Sequence, residues 1–421
     1  MKLRKVAATA VSLLALGALL AGCAQGSSPA AAPKVKTLNL WMPPQATGKI
    51  TDQQFWDSEM KGFTKETGVK VKTTIVPWAD YETKFLTGIA SGDGPDVAYS
   101  YSALIVDYLA KHQLVPYDQY LTAKEKANYT FLDKGVVDGK QYELPFFVGA
   151  SRVMFYNKDI LAKAGVTSVP KTWTQFEAAS KKIIAAGYEP LTGGWGEPTI
   201  GEVASVFDPY LFQAGGTLFN SKGTATAFDS KAGVAAATFL YNLKKTGALS
   251  SSITSLTAAQ AQTEFTSGRA AFYVSSDSNY APFSQNGFKL GVEYSLKDKE
   301  QGTLVADGEM IMFKECPSYS LCAKLTNYVD SAKVETDFNN KLEKAPPIDK
   351  DQKSEIPSVF TDLYSKDANI LHFFGTVPGS NQVVVDLWQN LQQMMEGEKT
   401  PAQAMKDAAT AGNAAIKAGD N

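Results

Sequence analysis

Histidine is almost missing from this chain. Only His112 and His372 occur in 421 residues, far apart and at no metal-ligand spacing. Zinc fingers and His-based metal enzymes are thereby excluded. Cysteine is scarce as well. Cys23, Cys316 and Cys322 cannot build a dense disulfide scaffold, and an odd count means one thiol has a separate fate. Positive charge shows no excess, with 41 Lys and Arg facing 43 Asp and Glu. A nucleic-acid scaffold would show a basic surplus, so no nucleic-acid partner is expected. No Gly-x-Ser-x-Gly elbow, phosphate-binding Walker loop or Cys-x-x-Cys pair occurs, and no cofactor or metal site is expected. After residue 22 there is no run of 18 apolar residues to span a membrane. No internal repeat stands out.

What remains is the composition of a folded protein, 44% hydrophobic and 20% charged. The length suits two or three domain-sized units of roughly 150 residues each. Residues 1–22 read as an address. Lys2, Arg4 and Lys5 precede an apolar run that ends in Leu20-Ala21-Gly22-Cys23. This resembles a bacterial lipobox, in which Cys23 is acylated after cleavage before it. The competing readings are a stop-transfer helix or a buried Cys. Cleavage removes three cations and no acid, so the formal charge moves from −2 to −5. An acidic body has no basic patch for membrane binding, which leaves anchoring to the lipid. Residues 23–36 form a lipidated tether of small residues and proline.

Beyond the tether, strands and helices alternate. Lys36 to Met42 and Val69 to Ile75 alternate by two, and Asp96–Tyr101 gives a third strand. Phe55, Trp56, Glu59, Met60 and Phe63 fall at helical spacing between the first two, and Tyr81, Phe85, Leu86 and Ile89 between the second and third. This βαβαβ run predicts an α/β fold with mostly parallel sheets flanked by helices. Further strands are expected at Leu144–Val148, Arg152–Tyr156, Ala270–Val274 and Phe288–Glu293. Thr172 with Gln175 forms a capping-box pattern, Asp229 is expected to cap the next helix, and Thr400-Pro401 opens the last one. Ligands of open parallel sheets bind beyond the carboxyl ends of the strands. Here those ends read Trp41 to Gln45, Trp78 to Asp80, and Tyr99 to Tyr101. Aromatic faces beside amides and carboxylates suit sugar rings, although any single aromatic is more often core than platform.

The ordered series Leu38-Asn39-Leu40-Trp41, Phe63 to Val71, Ala90-Ser91-Gly92-Asp93-Gly94-Pro95-Asp96-Val97, Tyr156-Asn157-Lys158-Asp159, Pro170-Lys171-Thr172-Trp173, Phe265 to Ala271 and Glu396 to Ala404 covers nearly all of the mature chain. It resembles the extracellular solute-binding proteins of carbohydrate ABC importers, the group that includes maltose-binding protein. The resemblance implies a type II, periplasmic-binding-protein-like fold of two lobes joined by a hinge of crossing strands. One lobe would take residues 37–148 and about 296–330, the other 149–295 and about 331–421. The hinge would fall near Phe146–Ser151, Gly291–Ser295 and Thr326–Lys333. The implied protein is a lipid-anchored, extracytoplasmic, monomeric receptor. It binds a sugar, most naturally an oligosaccharide, and delivers it to the permease subunits of an importer. It is not an enzyme.

Matching positions imply a site made of Gln45, Trp78, Asp80, Tyr99, Ser100, Tyr101, Phe147, Ser151, Trp195, Glu197, Asp208, Tyr273, Ser276, Asp277, Asn279, Gly308, Glu309 and Asn381. Arg152 is a weaker candidate that also reads as a surface charge. The segment after Ala271 lacks the Trp many relatives place there, so Trp195 and Tyr273 are the expected stacking partners. Outside the cytoplasm Cys316 and Cys322 are expected to pair, the alternative being two reduced buried thiols. Two other functions stay open on sequence. One is a glycan-cleaving lipoprotein using two acids such as Glu197 and Asp277. The other is a receptor for a non-sugar solute.

Overall fold

Strand β1, Thr37–Met42, pairs in parallel with β2, Lys70–Ile75, and with β3, Val97–Ser100. The structure is a computed structural model that describes residues 35–46, 49–375 and 377–419. The leader, Cys23 and most of the tether therefore lie outside the described residues. Five further strands matter for the site: β4, Glu143–Gly149; β5, Arg152–Asn157; β6, Glu189–Thr192; β7, Ala270–Ser276; and β8, Leu290–Glu293. The ninth is β9, Ala306–Met312.

Two open sheets result, ordered β2-β1-β3-β9-β4 and β8-β5-β7-β6. In each sheet one strand runs against all the others. In the first it is β9, antiparallel to both β3 and β4. In the second it is β5, antiparallel to both β8 and β7. Both reversed strands are those that enter a sheet directly after the chain has crossed from the other one. The mostly parallel pattern thus holds strand by strand, with the exceptions forced by the crossings.

Each sheet is faced by helices whose apolar stripes the sequence shows. On one side of the first sheet the helix Asp52–Thr67 packs Phe55 and Trp56 against Phe146 and against Phe338 of the helix Ala332–Lys341. Thr51 and Gln54 close the first helix with a complete capping box. The other side packs Trp41 on Phe85 of the helix Tyr81–Ser91. The second sheet carries the larger core. There Trp173 stacks on Phe239 at 4.2 Å, beside Phe176 and Phe272. The last two helices, Ser380–Met395 and Pro401–Gly419, pack on this second core through Leu387, Leu391, Met405 and Ala408.

The crossings differ from the expected boundaries in two places. Leu296 still belongs to the second core and Thr303-Leu304 pairs with Leu371-His372, so the return to the first sheet comes at Val305-Ala306. The segment Thr326–Lys333 is no crossing. It joins two helices that both cover the first sheet, and Phe338 is buried against Phe55 and Phe146. The chain stays on this lobe well beyond Lys341, since Asn128 donates to Asp349 and Glu355 N donates to Asn339. Local capping also differs. Ser230, not Asp229, caps the helix Lys231–Lys245. Thr172 accepts from Gln175 N, but Gln175 reaches back to Lys171 N instead of to Thr172.

Candidate ligand cleft

The first crossing is only two residues long. β4 ends at Gly149 and β5 begins at Arg152. Between them Ala150 has φ +50°, a left-handed conformation that costs a residue with a Cβ about 1–2 kcal/mol. This short link joins the carboxyl end of β4 directly to the amino end of β5. β1, β3 and β4 point their carboxyl ends at the second lobe, and β6, β7 and β8 point theirs at the first. The cleft lies between these ends.

The first lobe supplies an aromatic wall. Trp78 lies 5.3 Å from Tyr81, 5.9 Å from Tyr99 and 6.4 Å from Tyr101, measured between ring centroids. Trp78 Nε1 donates to Pro44 O, and Tyr81 OH donates to Tyr99 O, so the wall is tied to the ends of β1 and β3. Trp78 is 49% exposed, the most open large aromatic among the described residues. Tyr101 leans on the second core. Behind the wall Gln45 is buried, its Oε1 without a partner, while its N–H donates to Asp52. Asp80 is exposed at the rim.

The second lobe supplies carboxyls and one guanidinium. Asp277 follows β7, and its N–H donates to Ser151 O. Tyr364 OH donates to Asp277, and Ser151 Oγ donates to Tyr364 OH at 2.8 Å. Arg152 is held by bonds from Nη1 to Ala150 O and Nη2 to Gly201 O. Burial lowers its pKa, against the nearby acids Glu202, Asp277 and Asp208. Burial raises Glu202 and Asp277 to about 7 each and holds Asp208 well above the usual carboxylate range. Across the cleft Ser278 Oγ donates to Glu343, a first-lobe acid that burial also raises to about 7.

The remaining expected site residues have other surroundings. Trp195 and Tyr273, expected to stack on a ligand, are core residues in this conformation, 2% and 4% exposed. Trp195 O accepts from Trp388 Nε1, and Tyr273 packs among Phe265 and Phe283. Glu197 accepts from Ala258 N, at the start of the helix Ala258–Thr266 that Thr257 caps. Ser276 Oγ accepts from Ser278 N, and Asn279 donates to Ser275 Oγ. Gly308 lets the Tyr99 ring lie flat on its strand, because a Cβ there would fall 2.1 Å from the phenol oxygen. Glu309, with Glu143 and Asp307, forms a buried acidic group away from Arg152. Phe147 is buried beside Gly149. Ser100 Oγ and Asn381 Oδ1 are buried without partners. Sequence reasoning missed Glu202, Ser278, Glu343 and Tyr364. Glu343 sits in Lys341-Leu342-Glu343-Lys344, which reads as a solvated charge run, so no local signal marked it.

Away from the cleft, Cys316 and Cys322 form a disulfide between the loop after β9 and the first turn of the helix Tyr319–Val329. Among the described residues no group of acids, His and Cys is placed to hold a metal, and no helix is long and apolar enough to cross a membrane.

The family profile described as bacterial extracellular solute-binding protein matches residues 47–307. A binding protein of Brucella abortus is 24% identical over 384 residues, covering 86% of this chain and 90% of that one. The galactooligosaccharide-binding protein of Bacillus subtilis is 23% identical over 440 residues, covering 99% of each. Among solved structures, the GacH receptor of Streptomyces glaucescens, described unliganded and with acarbose, superposes with a TM-score of 0.74 at 22% identity. It covers 91% of this chain and 99% of its own.

Proposed function

This chain belongs to the bacterial extracellular solute-binding proteins, which are binding proteins of ABC transporters and not enzymes, and from that premise we propose that it is an oligosaccharide receptor. The sugar enters between the lobes, the lobes close on it, and the closed form is presented to the permease subunits of an importer. The protein works as a monomer. Acylation of Cys23 holds it at the outer face of the membrane, where confinement near the permease raises their effective concentration.

One observation carries the reading. A half-exposed Trp78, backed by Tyr81, Tyr99 and Tyr101 on one lobe, lies across the cleft from several acids and an arginine on the other. Rings can stack on the apolar faces of sugar rings, while planar polar groups take the hydroxyls around their edges. Relatives named for galactooligosaccharides, arabinooligosaccharides and diacetylchitobiose support the substrate class.

Native mass spectrometry of the freshly purified protein, followed by calorimetric titration with a panel of oligosaccharides, tests this. Retention of a sugar, or micromolar binding of one series, is expected. A panel without heat or thermal shift, together with a co-purifying ligand that is not a sugar, sinks the reading.

A further inference from the structure

The cleft holds more acid than base. Glu202, Asp208, Asp277 and Glu343 all lie close enough to Arg152 to feel its charge. Yet among the described residues none of the four forms a salt bridge. Arg152 spends its two terminal nitrogens on backbone carbonyls, and its buried Nε has no partner. Asp208 is 1% exposed and neither of its oxygens has a partner. Two further acids face the group. Glu197 lies near Glu202, and Asp52 lies near Glu343. Both are engaged already, Glu197 by Ala258 N and Asp52 by the N–H groups of Gln45 and Ala46.

One guanidinium can balance one carboxylate. Asp208 and Asp277 are out of water and Glu202 and Glu343 partly so, and the acids beyond that one can ionise there only at a cost, because burying an unpaired charge is costly. A cleft that is only waiting for neutral hydroxyls needs acceptors, and amides would serve as well. Acids in excess of cations favour a ligand that brings positive charge. An ammonium supplies the charge and three donors together.

We propose that the ligand is an oligosaccharide bearing at least one protonated amino group, which lodges among Glu202, Asp208 and Asp277 while the Trp78 wall takes a neighbouring ring. This rests on the oligosaccharide-receptor reading above. Binding then displaces protons from the cleft acids, because a cation beside them favours their charged form.

The test is calorimetry on the purified protein at pH 7 with three series of equal length: glucosamine oligomers, N-acetylglucosamine oligomers and glucose oligomers. The amine series is expected to bind at least tenfold more tightly than either neutral series. That advantage should shrink with added salt and in Asp208→Asn, whose fold is checked by its melting curve. Titrations in buffers of different ionisation heat should show proton release with the amine series. If a neutral series binds as tightly as its amine counterpart, the amine proposal falls and the receptor reading stands. If none of the three binds, the amine proposal falls, and the receptor reading is decided by the wider panel and the co-purifying ligand described above.

Discussion

At the scale of single residues, Trp78 and the cleft carboxyls make opposite demands. Trp78 keeps half its surface in water and contributes little to the core, so its loss should be felt in binding and not in folding. Trp78→Ala is expected to weaken oligosaccharide binding by about tenfold or more, about 1.4 kcal/mol, with a melting temperature close to wild type. A full-strength titration by this variant would remove the aromatic wall from the site. The acids are coupled to folding instead. Asp277 titrates near 7 in the fold against 3.8 ordinarily, and Glu202 and Glu343 near 7 against 4.5, all through burial. The folded chain therefore keeps protons that the unfolded chain releases. Their stabilising effect is complete below about pH 4 and is lost as pH rises through about 7. Denaturant melts between pH 5 and 8 should show stability falling with pH, and a shallower fall in Asp277→Asn. Parallel curves would mean that Asp277 does not hold its proton in the fold.

At the scale of elements, caps and links were legible where the signal is local. Thr172 before Trp173, and Thr400 before Pro401, mark helix starts by chemistry that lies within four residues. Ser230 displaced Asp229 because either oxygen can accept from the first turn, and the backbone angle decides which one is in reach. The disulfide belongs here too. Cys316 and Cys322 are six residues apart and enclose a small loop, so closing it removes little freedom from the unfolded chain. The double variant Cys316→Ser/Cys322→Ser is expected to lose only about 2 kcal/mol and to keep its ligand affinity, because the pair anchors a helix on the first lobe and does not touch the cleft. Urea melts with and without reductant check the first part, and calorimetry the second.

At the scale of the whole molecule, the two lobes are joined by strands that reverse direction on entering each sheet. Across the cleft Ser278 Oγ donates to Glu343, and Tyr101 packs on the second core. Such an interface opens without exposing a large apolar area. Small-angle scattering should show a more open average shape without ligand and a smaller radius of gyration with it. Ser278→Ala should favour the open form and bind more weakly, mostly through faster release. An unchanged radius on saturation would rule out closure.

The alternating apolar periods already determined the α/β class, the strands that lead into the cleft and its aromatic side, since these depend on residues close together in the chain. Which acids share one buried space was decided only by the tertiary structure. Glu343, Tyr364, Asp277 and Arg152 are separated by up to 212 positions, and their proton affinities come from mutual burial that no local pattern encodes. The same holds for Trp195 and Tyr273. As sequence they are aromatics at strand ends like Trp78. Packing around them, and open space beside Trp78, separates core from platform.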